Sequence, residues 1–192
     1  MSAAVVDRPL RADAARNRAR LTVAAAAAFR DDGLGVAVDE IARRAGVGVA
    51  TLYRHFPAKA DLVVAVTDAV LDDLAAVAAD ALAGPQATVV ARFLEEALGH
   101  QCRNRGFVQA LSQHAFPPAA RRRLKRRVTA ILAPVVDAGH RSGSLRADVD
   151  ATALLLVVRM LGVVVATDGR GGDRDLHLSI LLRGLASEPL PR

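Results

Sequence analysis

Tyr53 is the only tyrosine in the 192-residue chain, and there is no tryptophan. Arg54 and His55 follow it directly, Thr51 stands two residues before it and Lys59 six after it, within "AGVGVATLYRHFPAK" at 45–59. A phenylalanine would fill a core as well as a tyrosine. A phenol beside two cationizable side chains, with a hydroxyl and an ammonium close by, is a set of hydrogen-bond donors that must reach something polar. Nothing in the chain offers a comparable set for catalysis. No Ser-His-acid spacing, phosphate-cradling glycine loop or carboxylate pair stands out. "GRGG" at 169–172 follows an apolar helix, not a strand, and reads as a loop. His100 and Cys102 suggest metal ligands, but side chains two apart on a helix point about 200° apart and converge poorly. No enzyme activity, metal or cofactor is expected.

The donor cluster needs a rigid support, and the surrounding pattern supplies one. Leu21, Ala24, Ala25, Ala28 and Phe29 recur at helical spacing between Arg11 and Asp32, with Arg16, Arg18 and Arg20 crowding the first half. Residues 1–10 lack periodicity and read as an arm. "VDEIARRAG" predicts a short helix stopped by Gly46, and 49–56 predicts a second with Gly48 as its cap. In this arrangement Ile41, Ala42 and Ala45 pack inward, as do Leu52 and Phe56. The outward face carries Val49, Ala50, Thr51, Tyr53, Arg54 and His55. Two short helices joined by a glycine turn form the unit that places a helix in the major groove of DNA.

From Pro57 a long helix runs to about Leu82, roughly 38 Å at 1.5 Å per residue. "AGPQ" breaks the chain at 83–86. Helices are predicted at about 86–103, 106–115, 117–142, 149–167 and 174–186, making about nine in all. No strand pattern competes, so the fold class is all-α: an N-terminal helix-turn-helix domain over 1–56 and a C-terminal helical domain over 57–192.

Composition agrees. Apolar residues are 52% of the chain, mostly Ala, Leu and Val. Net charge is +6 but uneven. Residues 1–60 hold ten Lys/Arg against six Asp/Glu, 61–120 three against seven, and 121–192 thirteen against seven. The first third suits a polyanion and the middle third does not. "RRRLKRR" at 121–127 has Leu124, Val128, Ile131 and Val135 at helical spacing, which makes its cations a solvated face, with an anionic ligand or acidic partner as the competing reading. The apolar segment 151–167 is interrupted by Arg159 and is too short to span a bilayer. Arg159 calls for a partner, an acid across a dimer interface ahead of an anionic ligand. Without a secretory leader pattern, and with Cys102 the single cysteine, a cytoplasmic protein without membrane association is expected.

The segment "VDEIARRAGVGVATLYRHFPAKADLVVAV", and more broadly residues 14–66, resembles the DNA-binding domain of the TetR/AcrR family of transcriptional regulators. The resemblance implies phosphate contacts from Tyr53 and Lys59, with His55 adding another and Arg54 on the same helix. It places Val49, Ala50 and Thr51 near base edges. Val49 and Ala50 cannot donate to guanine and suit thymine methyls, which shifts part of the readout to DNA shape and arm arginines. "VAV" at 36–38 lacks the hydroxyl that the family often carries there.

The resemblance further implies a homodimer that binds a near-palindromic double-stranded operator, most readily as a repressor. Helices 149–167 and 174–186 would pair with their copies. An apolar cavity among the helices of 86–142 would hold a small-molecule effector. Residues Phe93, Leu94, Ala97, His100, Gln101, Phe107, Leu111, His114 and Met160 are the candidates to line it. DNA and effector would oppose each other by a coupling of about 1–3 kcal/mol. The alternatives are a small-molecule binding module with little operator specificity, and a ligand-independent architectural DNA-binding protein.

Overall fold

The computed structural model describes residues 7–104, 118–167 and 174–187, with the side chains of 13–104, 118–160 and 176–187. These residues form eight α-helices and no strand. They are α1 (Asp7–Asp32), α2 (Val38–Ala45), α3 (Val49–His55), α4 (Lys59–Leu82), α5 (Val89–Arg103), α6 (Pro118–Arg141), α7 (Ala151–Thr167) and α8 (Arg174–Leu185). A single 3-10 turn, Gln86–Thr88, leads into α5. The helix expected at 106–115 lies outside the described residues. α1 starts at Asp7 rather than Arg11, so part of the expected arm is helical. Pro9 falls in the first turn, where its missing N–H costs no hydrogen bond.

Contacts divide the chain into two compact units, Met1–Val70 and Leu71–Arg192. The packing boundary therefore falls inside α4, not at the 56/57 junction where the helix-turn-helix ends. The physical reason is the first half of α4, whose Leu62, Val63 and Val66 are buried. α4 also starts two residues after Pro57. The Asp61 carboxylate accepts the Ala58 N–H at 2.9 Å, satisfying a donor at the helix start that would otherwise be unpaired.

The first unit packs Leu21, Ala25, Ala28 and Phe29 of α1 with Ile41 and Ala42 of α2 and with Leu52 and Phe56, all essentially sealed from solvent. The second unit has a core built on Phe93, Leu94 and Ala97 of α5, Leu132 and Val135 of α6 and Leu154 of α7. Gly139 lets these helices close up: a Cβ there would stand 2.8 Å from both Val90 Cγ2 and Leu145 Cβ. α7 is capped by Asp150, whose carboxylate accepts the Ala153 N–H at 2.7 Å. Among the described residues no helix is long and apolar enough to cross a membrane.

Candidate nucleic-acid interface

α3 has seven residues, too few to hold together by propensity alone. Its stability must come from its ends and its buried face. The turn before it is fixed by Gly46, which has φ 64° and ψ 37° in the left-handed region. There the Gly46 N–H donates to Arg43 O and the Val47 N–H to Ala42 O, both at 3.1 Å. These two bonds satisfy carbonyls at the end of α2 and reverse the chain. Gly48 then serves as the α3 N-cap at an ordinary extended conformation, and its carbonyl accepts from Thr51 and Leu52.

Arginines from α1 hold the two helix C-termini. Arg20 Nη2 donates to Ala45 O at 2.8 Å, at the end of α2. Arg18 Nη1 donates to His55 O at 3.0 Å, at the end of α3. The Arg18 guanidinium also lies over the Phe56 ring, 4.3 Å from its centroid. A cation at a helix C-terminus meets the negative end of the dipole, so both contacts are favourable. On the other side, Arg44 reaches Glu40 at 2.7 Å and Asp32 at 2.6 Å, tying α2 to the end of α1. Hydrogen bonds from Arg43 and Arg44 bring the Glu40 carboxyl down to about 2.

With α3 held on these supports, Leu52 faces inward and Ala50, Tyr53 and Arg54 are exposed. Tyr53 and Arg54 follow Ala50 by three and four residues, so all three share one side of the helix. Tyr53 is 47% exposed, an unusual position for a large ring. Val49, Thr51 and His55 are half-buried at the margins. Among the described residues, the Tyr53 and Thr51 hydroxyls and the Arg54 guanidinium have no hydrogen-bond or ion-pair partner. This leaves a phenol, a hydroxyl and a cation with unused donors on or beside a short exposed helix.

Lys59 is placed differently from the other expected contacts. Its ammonium is half-buried and donates to Val36 O, bracing the loop before α2 against the start of α4. Burial pushes its pKa below the usual lysine value. Two of its three N–H donors remain for other acceptors. At Ala37, the N-cap of α2, the backbone is extended and no side-chain cap exists, as the missing hydroxyl in "VAV" implies.

The residues expected to line an effector cavity are not equivalent. Phe93, Leu94 and Ala97 are fully buried in the core of the second unit. His100 is buried, with Nε2 3.2 Å from Asn104 Nδ2. Gln101 is half-buried and donates through Nε2 to Val158 O at 3.2 Å. Met160 does not join them. It is 55% exposed on α7, with Leu156 one turn earlier at 54%. Arg159 is also exposed, so its charge needs no buried partner. Phe107, Leu111 and His114 lie outside the described residues. A pocket of about 270 Å³ opens elsewhere, lined by Val77, Asp80, Ala81, Arg92, Glu95 and Glu96. It is too polar and acidic for an apolar effector. In the basic run of α6, Arg121–Arg123, Lys125 and Arg126 are exposed, Leu124 leans on the core, and Arg127 pairs with Asp72 at 2.6 Å. This is an exposed face, and Arg127 ties it to α4.

Arg18 and Arg20 are the positions that sequence reasoning left without a role. Their partners are carbonyls 37 and 25 residues away, which no local pattern announces.

Residues 21–66 match the family model described as bacterial regulatory proteins, tetR family. Residues 85–187 match a model described as the C-terminal domain of SbtR-like transcriptional regulators. Among solved structures, a TetR transcription regulatory protein from Mycobacterium vanbaalenii is 34% identical. That match covers 93% of this chain and 99% of the other, with a TM-score of 0.67. The Streptomyces coelicolor regulator SCO0520 is 25% identical over 90% of this chain and 99% of its own, with a TM-score of 0.60. A putative TetR-family regulator from Rhodococcus sp. shares the fold at a TM-score of 0.72 and 21% identity, covering 90% and 100% of the two chains. No curated protein matches the chain.

Proposed function

Because the chain belongs to the TetR family of DNA-binding transcription regulators and not to an enzyme family, we propose that it is a homodimeric, ligand-released repressor of a near-palindromic operator. The observation that carries the DNA reading is the outer face of α3. Tyr53 is exposed with an unused hydroxyl, and Arg54 beside it has no internal ion pair among the described residues. Tyr53 and His55 contact backbone phosphates and Arg54 adds charge. Val49, Ala50 and Thr51 meet the base edges, with apolar contact to thymine methyls prominent. Lys59 keeps its Val36 contact and offers a remaining N–H to phosphate.

The dimer reading draws support from the outer faces of α7 and α8. Leu156 and Met160 on α7, and Leu176 and Ile180 on α8, form two exposed apolar pairs, each spaced by one turn. A single chain exposing four such side chains on two helices gains by covering them. Pairing these helices with their copies gives a two-fold assembly, which matches a two-fold operator. Met160 therefore belongs to the subunit interface. Phe93, Leu94, Ala97, His100 and Gln101 remain the α5 contribution to an effector site, together with Phe107, Leu111 and His114. The protein acts in the cytoplasm, where its DNA is.

The test is anisotropy titration of the purified chain against its own upstream intergenic duplex and a scrambled one, at about physiological salt. Saturation at two chains per site on the first duplex alone is the expected result. Equal, weak binding to both would refute operator recognition. Sedimentation of a Leu156→Glu, Ile180→Glu variant checks the interface. It should run as a monomer where the parent chain runs as a dimer.

A further inference from the structure

Two buried side-chain polar atoms in the described residues have no hydrogen-bond partner: Gln101 Oε1 on α5 and His177 Nδ1 on α8. A buried polar atom without a partner costs about 1–3 kcal/mol, so two of them in one unit call for an explanation. The amide cannot be turned over to relieve the first. Its Nε2 donates to Val158 O at 3.2 Å, and a flip would set oxygen against oxygen. Gln101 therefore presents an unmet acceptor.

The way α7 and α8 join at Arg146 puts both atoms at one level of the bundle. At one end, the Leu185 carbonyl of α8 accepts the Arg146 N–H at 3.0 Å. The turn that follows Arg146 is fixed by His140, whose Nε2 lies 3.1 Å from both Arg146 O and Val149 O. α7 leaves that turn from its cap Asp150, and α8 returns to it, so the two run in opposite directions. Val158 lies eight residues beyond Asp150, and His177 eight residues before Leu185. Each is about 12 Å from the shared end. Gln101 is bonded to Val158, and α5 contacts both α7 and α8. The two orphan atoms thus stand at about the same height of the bundle. Their neighbours along the helices, Leu98, Val158 and Leu178, are buried apolar side chains.

We propose that Gln101 and His177 form the polar anchor of the effector site and hold the hydroxyl of an otherwise apolar, uncharged small molecule. This deepens the reading of the second unit as effector-binding and rests on it. The hydroxyl donates its hydrogen to Gln101 Oε1 and accepts from the Nδ1–H of His177. One group satisfies both orphans with its own donor and acceptor. A carboxylate brings only acceptors and meets Gln101 oxygen to oxygen. An ammonium could reach both atoms but would bring an unpaired charge among leucines and valines. Both side chains are only half-buried, which places the anchor near the margin of the bundle rather than at its centre.

The test uses the full chain with ¹⁵N-labelled histidine, titrated with 1-octanol and, separately, with octanoate. The His177 resonance is identified by its loss in His177→Gln. Expected are a saturable shift of the His177 Nδ1 resonance with octanol, at least tenfold weaker binding of octanoate, and at least tenfold weaker octanol binding to Gln101→Leu. The proposal is overturned by an unmoved His177, by equal affinity for alcohol and carboxylate, or by unchanged octanol binding in a folded Gln101→Leu chain. An ordered water that octanol does not displace shows the first of these results. Operator binding read in the same samples separates the two claims. Octanol at His177 with the operator still bound supports the anchor and removes its effector role. Operator release by octanol without any change at His177 or in Gln101→Leu overturns the anchor and leaves the effector reading standing.

Discussion

Arg18→Ala should loosen α3 without touching its exposed side. α3 has only seven residues, too few to be stable by itself, and its C-terminal end is held from α1 by the Arg18–His55 O bond at 3.0 Å and the stacking of Arg18 on Phe56 at 4.3 Å. Arg18 is exposed, so the low end of each magnitude applies. Stacking of an exposed arginine on an aromatic face is worth about 0.5–1 kcal/mol. A cation on the last carbonyls of a helix is worth about 0.3–1 kcal/mol. Alanine and arginine have similar helix propensities, so α1 itself is unaffected. The expected loss is about 1–2 kcal/mol in the stability of the first unit, or about 5- to 30-fold in its folding equilibrium. The chain supplies its own probe. With one tyrosine and no tryptophan, ultraviolet emission reports on Tyr53, at the centre of α3. Urea unfolding followed at Tyr53 should show an earlier midpoint in Arg18→Ala, with Arg18→Lys recovering part of the difference. A Tyr53 midpoint unchanged to within about 0.3 kcal/mol would refute the bracing role, since removing either contact alone should cost about that much or more.

Gly46→Ala should destabilise the same unit by about 1–2 kcal/mol, because φ 64° is costly for any residue with a Cβ. The new Cβ would also stand 2.9 Å from Arg20 Nη2 and disturb its bond to Ala45 O, so Tyr53-detected unfolding should move at least as far as in Arg18→Ala. Ala37→Ser should do the opposite, adding about 0.5–1 kcal/mol by capping α2 at a backbone conformation already suited to it, measured in the same urea experiment. Glu40 sets an acid limit. Its carboxyl is held at about 2 against an ordinary 4.5, so its contribution is complete above pH 4.5 and is lost as pH falls toward 2. Tyr53-detected stability should therefore fall more steeply across that window in the parent chain than in Glu40→Gln.

Local signals announced the parts of this fold that local chemistry builds. Gly46 and Gly48 bracket the turn between α2 and α3 in the sequence as they do in the structure, and the alternation of Leu52 and Phe56 with Tyr53 and Arg54 already told inside from outside. What stayed hidden depends on distant partners or on uniform composition. Arg18, Arg20 and Lys59 each donate to a backbone carbonyl more than twenty residues away. The packing boundary inside α4 was invisible because the helix is apolar on both sides of Val70. α7 is hydrophobic nearly all round, so periodicity could not say that Leu156 and Met160 face outward while Leu154 and Val158 face the core. The orphan atoms of Gln101 and His177 lie on helices separated by over seventy residues and are set at one level only by the return of α8 to Arg146.

The first third of the chain carries a surplus of positive charge, but most of that charge is already engaged. Arg16 pairs with Asp13, Arg30 with Asp31, Arg43 and Arg44 with Glu40 and the acids closing α1, while Arg18, Arg20 and Lys59 sit on carbonyls. Among the described side chains of the first unit, Arg54 is the cation with no internal partner, and it stands beside Tyr53. Net charge therefore steers the protein toward DNA without saying which cations touch it. Counterion release tells them apart, since each phosphate neutralised on duplex DNA adds about 0.9 to the slope of log affinity against log salt. Arg54→Ala should lower that slope by about 0.9 and weaken operator and scrambled duplex alike. Arg43→Ala, which removes a cation of the same charge already paired with Glu40, should leave the slope nearly unchanged. Equal slopes for the two variants would mean that ion pairs on α2 open freely to phosphate, and that the division between bracing and DNA-facing arginines does not survive contact with DNA.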